Sequence, residues 1–249
     1  MSGHSKWSTI KRKKAAVDAA RGKVFTRYTR EIITAARTGG GDPETNSRLR
    51  SAIAAARREN MPSANIEKAI KRGTGEIEGI TYEESSYEGY GPGGVALFID
   101  VVTDNKNRTV GEIRHMLSKH SGSLGENGCV AWMFDLKGVI SLPANGKSED
   151  EMVELVVESG AEDFALEGES YQITTAPAEL YAVREKMEAA GIAIESAELT
   201  RVPQNTVKLE GKDAEVMLKL MESLEDHDDI QRVSANFDVP EEMMQEHDS

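Results

Sequence analysis

The sequence predicts an α+β fold in which an N-terminal three-helix domain precedes two ferredoxin-like βαββαβ domains, one inserted in the other. Apolar residues recur at helical spacing before Gly75, whereas short apolar runs alternate with amphipathic segments after Gly79. The length of 249 residues also exceeds that of a usual single domain. The predicted domains are a basic helical domain with an N-terminal arm (1–79), a discontinuous α/β domain (80–137 plus 204–240) and an inserted α/β domain (138–203).

Three helices are predicted in the first domain. The stretch GKVFTRYTREIITAART has the apolar spacing of a helix, and GGG at 39–41 ends it. Asp42 as N-cap and Pro43 in the first turn predict a second helix through about Asn60. A third short helix carries Ile66 and Ile70 inward.

The acidic remainder of the chain alternates strands and helices. Thr109 and Glu112 have the spacing of a capping box for a helix that ends near His120. Gly91-Pro92-Gly93-Gly94 is typical of a hairpin or strand-entry turn, because a dinucleotide loop would follow a strand and open a helix. The predicted strands are 95–102, 129–135, 138–142, 163–167, 170–175, 193–201, 206–209 and 230–237, and the other predicted helices are 149–159, 178–190 and 212–225.

The order of these elements indicates how the two α/β domains are connected. Residues 138–203 alone spell βαββαβ, the order of a split βαβ sandwich. The flanking segments supply βαβ before this unit and βαβ after it, so together they spell the same order. We therefore expect one such domain to interrupt the other, although a linear pair of domains is the alternative.

Charge is distributed unevenly along the chain, whose formal net charge is −13. From Met1 to Gly75 there are 17 Lys and Arg residues against 6 Asp and Glu residues, and the rest holds 13 against 37. A cationic end attracts a polyanion, and an anionic body repels it. This asymmetry favours a nucleic-acid partner. A solvated, salt-bridged surface is the weaker alternative, because so few acids cannot pair all the bases.

The residues predicted to bind nucleic acid lie on the arm and the first helices. Lys and Arg neutralise phosphates, and an exposed indole such as that of Trp7 can stack on an unpaired base, unless Trp7 only anchors the arm. The predicted contacts are Lys6, Trp7, Lys11, Arg12, Lys13, Lys14, Arg21, Lys23, Arg27, Arg30, Arg57 and Arg58, and the other basic residues of these helices are Arg37, Arg48, Arg50, Lys68, Lys71 and Arg72.

A second contact is predicted at Arg108, Arg114 and Lys119, in the only notably basic stretch of the acidic part. No catalytic residue, metal site or cofactor is predicted. His115 and His120 lack the i, i+4 spacing of paired ligands, and Cys129 has no basic neighbour in sequence to activate it. No apolar run is long enough to cross a membrane and no secretory signal opens the chain, so we expect a cytoplasmic protein.

Several motifs of this sequence resemble those of one family. They are GHSKW, KAAVDAARGKVFTRYTREIITAARTGGGDPETNSRLRSAIAAARRENMP, YEGYGPGG, TDNKNRTVGEIRH and GSLGENGCVAWMF. The chain resembles the YebC/PmpR family in all of them, over nearly its whole length. The resemblance implies a helical domain with two α/β domains, one interrupting the other. It carries over no agreed catalytic residues.

Two functions follow from the resemblance and the charge distribution. The first is a non-enzymatic nucleic-acid-binding regulator of gene expression, since family members are similar to bacterial proteins described as probable DNA-binding transcriptional regulators. The alternative is a ribosome-associated translation factor that binds ribosomal RNA and assists synthesis through difficult motifs such as proline runs. Other members resemble mitochondrial translational activators of cytochrome oxidase. An enzyme such as a nuclease is the least favoured class, and the sequence leaves the oligomeric state open.

Overall fold

The computed structural model describes residues 18–144, 148–167, 170–240 and 243, with side chains from Gly22 onward. Helices precede antiparallel sheets, which confirms the predicted α+β class. The helices are α1 (Asp18–Gly39), α2 (Ser47–Arg58), α3 (Ser63–Gly73), α4 (Lys106–Lys119), α5 (Glu149–Ser159), α6 (Leu180–Ala189) and α7 (Gly211–Glu225). The strands are β1 (Glu83–Tyr90), β2 (Ala96–Thr103), β3 (Ser123–Leu124), β4 (Phe134–Pro143), β5 (Asp163–Glu167), β6 (Ser170–Thr175), β7 (Ser196–Pro203), β8 (Val207–Lys208), β9 (Ile230–Ala235) and β10 (Phe237–Asp238).

The first three helices enclose a core of their own. Ile32 on α1, Leu49 on α2 and Ile66 on α3 are buried in it, as the helical spacing predicts. The α1 and α3 backbones approach closely at Gly73, where an added Cβ would lie 2.5 Å from the Ile33 carbonyl oxygen. Only glycine fits this contact without a shift of the backbone.

Helix α2 begins later than predicted. Its N-cap is Asn46 rather than Asp42, and the Asn46 side chain accepts from the Leu49 N–H at 3.0 Å. The same amide donates to the carbonyls of Ala35 at 2.9 Å and Gly40 at 2.8 Å. Asn46 therefore both caps α2 and attaches it to α1, which Asp42 could not do.

The inserted sheet has the strand order β5-β6-β4-β7, and its paired strands are antiparallel. The β4-α5-β5 unit is split by β6, and the β6-α6-β7 unit is split by β4. This is the predicted ferredoxin-like order. Helices α5 and α6 cover a core that includes Ile140, Ile173 and Met187.

The outer sheet has the order β3-β1-β2-β9, again antiparallel. It keeps the same spatial layout, because β1 splits β2-α4-β3. However, the position of the third strand in the predicted order is occupied by β1, which precedes β2 in the sequence. β1 pairs with β2 across the predicted turn at Gly91–Gly94. The predicted strand 206–209 is instead represented by β8, which pairs in parallel with β10 in a separate sheet.

Residues 129–135 do not form the predicted strand. Ala131–Met133 form a 3-10 turn, and β4 then runs without a break from Phe134 to Pro143. The physical cause is Glu88, whose carboxylate accepts the N–H groups of Gly128, Val130 and Ala131 at 2.7–2.8 Å. These donors are thereby withdrawn from a sheet ladder.

Helix α4 begins one turn before the predicted capping box. Its N-cap is Asn105, whose side chain accepts from the Arg108 N–H at 3.1 Å. Thr109 is fully buried and its hydroxyl group points toward Asp229. Thr109 is thus a core residue rather than a cap.

The buried residues of the described chain form four hydrophobic cores, each of which falls within one predicted domain, while the proposed boundary between 137 and 138 lies inside β4. We retain 1–79, 80–137 plus 204–240, and 138–203 as a proposal for the domain limits. Within the described residues, no helix has both the length and the apolar character needed to span a bilayer.

Candidate nucleic-acid interface

The predicted contacts on the arm are Lys6, Trp7, Lys11, Arg12, Lys13 and Lys14, which lie outside the described residues, as does the side chain of Arg21. Two contacts of α1 remain accessible. Lys23 is exposed, and its Nζ lies 3.7 Å from Asp226. The Arg27 guanidinium is half-buried over the Tyr28 ring, 5.7 Å from its centroid. A surface pair as loose as Lys23–Asp226 contributes little and leaves the ammonium available to a phosphate.

Arg30, which was predicted to contact nucleic acid, is instead buried and paired within the fold. The residue is 9% exposed, and its Nη1 lies 2.8 Å from Asp229 Oδ1. The same guanidinium donates to the Asp228 carbonyl oxygen and lies over the Tyr82 ring. Arg30 therefore connects α1 to the loop before β9. Releasing it to bind a ligand would break its ion pair with buried Asp229.

Asp229 is the centre of this contact. Its Oδ2 accepts hydrogen bonds from Thr109 at 2.6 Å, Thr103 at 2.9 Å and Arg108 at 2.8 Å. Burial alone would raise the pKa of Asp229, but these hydrogen bonds and the charge of Arg30 outweigh it and lower the pKa to about 2. Asp229 is therefore an ionised structural carboxylate.

Arg108, one of the three residues of the predicted second contact, belongs to the same cluster. Arg108 donates to Asp229 and to Asp104, at 2.8 and 2.9 Å, and these hydrogen bonds raise the pKa of Arg108. Its guanidinium is thus held by internal carboxylates. Arg114 and Lys119 are exposed, and neither forms an ion pair with a described carboxylate.

Arg48 is another cation held within the fold. It donates to Glu31 at 2.8 Å and to Glu84 at 2.5 Å, so it bridges α1 and β1. Burial alone would lower the pKa of Arg48, but hydrogen bonds to Glu84 and Glu31 raise it. This side chain attaches the helical domain to the outer sheet.

The remaining cations of α2 and α3 face solvent. Arg50 and Arg57 lie about two turns apart on α2, and both are exposed. Arg58 is exposed as well, and its Nη1 donates to the Glu195 carbonyl at 2.8 Å. We call six exposed residues that form no ion pair with a described carboxylate the exposed cationic set: Arg37, Arg50, Arg57, Lys68, Lys71 and Arg72.

The α/β body presents the opposite charge. Helix α5 begins with Glu149, Asp150 and Glu151, continues with exposed Glu154 and Glu158, and contains no basic residue. A phosphate backbone is repelled by such a surface. The exposed cations of the helical domain therefore contrast with the acidic surface of α5.

One described cluster has the composition of a metal site. Ligand atoms of Glu112, His227 and Asp229 lie within 4.8 Å of one another. His227 Nδ1 accepts from the Asp229 N–H at 3.1 Å, so Nε2 carries the proton and donates to Glu112 at 2.8 Å. The Asp229 oxygens already accept from Arg30, Arg108 and two threonines. These hydrogen bonds account for the cluster without an ion.

Cys129 is half-buried, and burial together with the charge of Glu88 raises the pKa of its thiol. It is thus a poor nucleophile at neutral pH.

The sequence predictions missed the structural partners of Arg30, Arg48 and Arg108. Asp229 follows four other titratable residues in EDHDD, and nothing in that stretch distinguishes the one that is buried. The one signal in the sequence for the burial of Asp229 is its position directly before the strand β9.

Family models match nearly the entire chain. The model described as "TACO1/YebC protein N-terminal domain" matches residues 5–76, and the model described as "TACO1/YebC second and third domain" matches residues 82–237. A "Probable transcriptional regulatory protein" of Pelotomaculum thermopropionicum is 58% identical over 241 residues, which are 96% of this chain and 99% of the relative. One of Geobacter sulfurreducens is 57% identical over 245 residues, covering 98% and 99%.

A solved structure resembles the fold over almost the same extent. The crystal structure of a conserved hypothetical protein from Aquifex aeolicus has a TM-score of 0.84 and 50% identity, and the match covers 91% of this chain and 93% of that one. With both family models and these relatives matching, the chain belongs to the TACO1/YebC family.

Proposed function

We propose that this protein is a non-enzymatic regulator of gene expression that binds DNA through its basic helical domain. The observation that supports this most directly is the exposed cationic set, whose members form no ion pair with a described carboxylate. The relatives named as probable transcriptional regulatory proteins point to the same class of activity. The anionic body would face away from the nucleic acid.

The contacts we propose are mainly to phosphate. The exposed residues of α2 include Ser47, Arg50, Arg57 and Arg58, a set that suits backbone oxygens more than a base-specific pattern. Lys23, Arg27 and the cations of the arm would extend the same surface. Arg114 and Lys119 remain the proposed second contact, without Arg108.

The same observation favours a second candidate, a translation factor bound to ribosomal RNA. Backbone contacts by Lys and Arg suit a folded RNA as well as a duplex, because neither requires base readout. The two candidates differ in target and share a binding surface.

The first experiment tests the surface. In fluorescence anisotropy, the double variant Arg50→Gln/Arg57→Gln should bind a DNA duplex and a ribosomal RNA fragment more weakly than the wild type. The slope of log K against log salt for the duplex should flatten by about 1.8, at about 0.9 for each phosphate that is no longer neutralised. A matched control, Lys212→Gln/Lys219→Gln, removes two exposed cations from α7 and should bind as the wild type does. Equal losses of affinity in both variants would contradict the proposed surface.

A second experiment separates the two targets. Sucrose-gradient profiling at low salt asks whether the protein travels with ribosomes, and footprinting with competitor DNA asks whether it protects one promoter sequence. A sequence-confined footprint at moderate salt is the result expected of a transcriptional regulator. Co-sedimentation without any footprint would reject DNA in favour of ribosomal RNA.

A further inference from the structure

A solvent-open groove lies where the ends of α1 and α3 meet the segment that leads to β1. Its volume is about 600 Å³, and the residues that give it its chemistry are Ile33, Arg37, Arg72, Ile77, Glu78 and Ile80. Ile33 belongs to the core of the helical domain, whereas the other five residues are exposed and none of them forms an ion pair with a described residue. The groove therefore has a chemical character that the fold itself does not require.

Two guanidinium groups border the groove. Arg37 and Arg72 are both exposed, and neither forms an ion pair with a described carboxylate. The aliphatic part of Arg72 lies along Gly79, with its Cδ 3.5 Å from the position that a Cβ there would occupy. A guanidinium presents a planar fork of donors that matches phosphate oxygens. The pair thus forms an anion-binding edge.

The other part of the groove is apolar. Ile77 is 37% exposed and Ile80 is 59% exposed, while Ile33 beneath them is 4% exposed. Exposed isoleucines beside unpaired arginines match a ligand that carries a negative group and a flat apolar group together. Glu78, the acidic residue of the lining, can accept a hydrogen bond from the Watson–Crick edge of an unpaired base, such as the N3–H of uracil.

We propose that this groove binds an unpaired nucleotide of a single-stranded nucleic-acid segment. Arg37 and Arg72 contact its phosphate, and Ile77 and Ile80 contact its base. This inference rests on the proposed function and adds to it a preference for single strands. In a duplex the base faces are stacked on each other and cannot reach the apolar wall, whereas an unpaired base can.

The test uses the full chain and two fluorescent probes, a single-stranded oligouridylate of about 12 nucleotides and a DNA duplex of the same length. The variant Arg37→Gln/Arg72→Gln should lower single-strand affinity about tenfold, because charged hydrogen bonds to one phosphate are removed. Its salt slope for the single strand should flatten by about 0.7. The variant Ile80→Ser should lower single-strand affinity severalfold and leave the slope unchanged. Ile80→Ser should leave duplex affinity nearly unchanged, whereas Arg37→Gln/Arg72→Gln, which also removes two cations of the exposed cationic set, should lower duplex affinity by a smaller factor than single-strand affinity.

The matched control is Arg57→Gln/Lys68→Gln, which removes the same charge from exposed sites outside the groove lining. It should weaken single-strand and duplex binding in similar proportion. The groove proposal would be overturned if Arg37→Gln/Arg72→Gln lost single-strand and duplex affinity in equal proportion. It would also be overturned if polyglutamate displaced the labelled oligouridylate at a concentration at which unlabelled oligouridylate does not. If the wild type binds neither probe, the proposed function fails with it. If the wild type binds and the groove variants bind equally well, the groove proposal alone is wrong.

Discussion

At the scale of single residues, Asp229 determines how the helical domain meets the body. It is 2% exposed and carries the ion pair with Arg30 together with hydrogen bonds from Thr103, Thr109 and Arg108. Taking a carboxylate out of water is costly, and here the full set of donors offsets that cost. Removal of the carboxylate would leave the buried donors Arg30, Thr103 and Thr109 without their shared acceptor.

In the variant Asp229→Asn, the free energy of unfolding should therefore lose the part of its pH dependence that comes from this carboxylate. Because the pKa of Asp229 is about 2 in the folded protein against an ordinary value of 3.8, its contribution to stability is complete above pH 3.8 and is lost as the pH falls toward 2. Between these values the free energy of unfolding of the wild type should fall by about 2 kcal/mol more than that of the variant. Urea unfolding followed by circular dichroism at a series of pH values measures this difference.

The neighbouring Asp228 supplies a matched control, since it is exposed and its backbone carbonyl rather than its carboxylate accepts from Arg30. Asp228→Asn should keep the wild-type dependence on pH. Parallel curves for the wild type and Asp229→Asn would show that Asp229 is not a stabilising ionised group.

The residue scale also marks a limit of prediction from sequence. Arg30 and Arg57 have the same side chain in the same basic stretch, yet only Arg57 is exposed. The difference arises because α1 packs against a loop 198 residues away, where Arg30 meets the Asp228 carbonyl. The count of charges predicted that the helical domain exposes positive charge, but it could not identify which Arg side chains are paired within the fold.

At the scale of elements, Asn46 joins two helices. Its carbonyl oxygen accepts from the Leu49 N–H at the start of α2, and its amide donates to Ala35 and Gly40 at the end of α1. The side chain is buried, so all three hydrogen bonds are shielded from water. This geometry fixes the angle at which α2 leaves α1.

Replacing Asn46 separates its two roles. Asn46→Ala should destabilise the helical domain by about 2 to 4 kcal/mol, because the cap is removed and two carbonyls are left unsatisfied. Asn46→Ser keeps an oxygen that can cap Leu49 and should lose about half as much. The Leu49 amide should exchange with deuterium much faster in the alanine variant than in the serine variant. Asn65→Ala, at an exposed position of α3, is the control; equal exchange at Leu49 in both Asn46 variants would contradict the cap.

Elements with a strong apolar pattern were predicted, and those held by other forces were missed. The run VALFIDVV was predicted as a strand and forms β2. Strand β1, EESSYEGY, has no apolar alternation, and hydrogen bonding along its whole length to β2 defines it. Conversely, the run CVAWMFD was predicted as a strand, but the Val130 and Ala131 N–H groups donate to Glu88 instead of to a neighbouring strand. Pairing across long sequence distances explains both errors.

At the scale of the whole molecule, several basic residues of the helical domain are used to attach it to the body. Arg48 bridges to Glu84, and Arg58 donates to the Glu195 carbonyl at 2.8 Å; beside them, the Ser51 hydroxyl donates to that of Tyr181 at 3.1 Å. The exposed cationic set is what remains after these attachments. The architecture thus keeps positive charge on the helical domain and presents negative charge on the inserted domain.

The overall arrangement was predictable from element order more than from any motif. The order βαββαβ of residues 138–203 correctly predicted the inserted sheet, because each helix must cover one face of it. The outer sheet kept the layout while taking β1 from upstream in place of the predicted third strand. Element order alone does not distinguish these two ways of filling one place in a sheet.

The central claim is that a cationic helical end binds phosphate backbone while the anionic body does not. The most direct measurement compares two triple variants of equal net charge by the salt dependence of duplex binding. One replaces Lys11, Lys13 and Lys14 of the arm with Gln, and the other replaces Lys208, Lys212 and Lys219 of the body, which are exposed.

The arm variant should bind more weakly and flatten the log–log slope by about 2 to 3, since each phosphate left without its cation accounts for about 0.9. The body variant should keep the wild-type slope. An unchanged slope in the arm variant, or equal flattening in both, would contradict the claim.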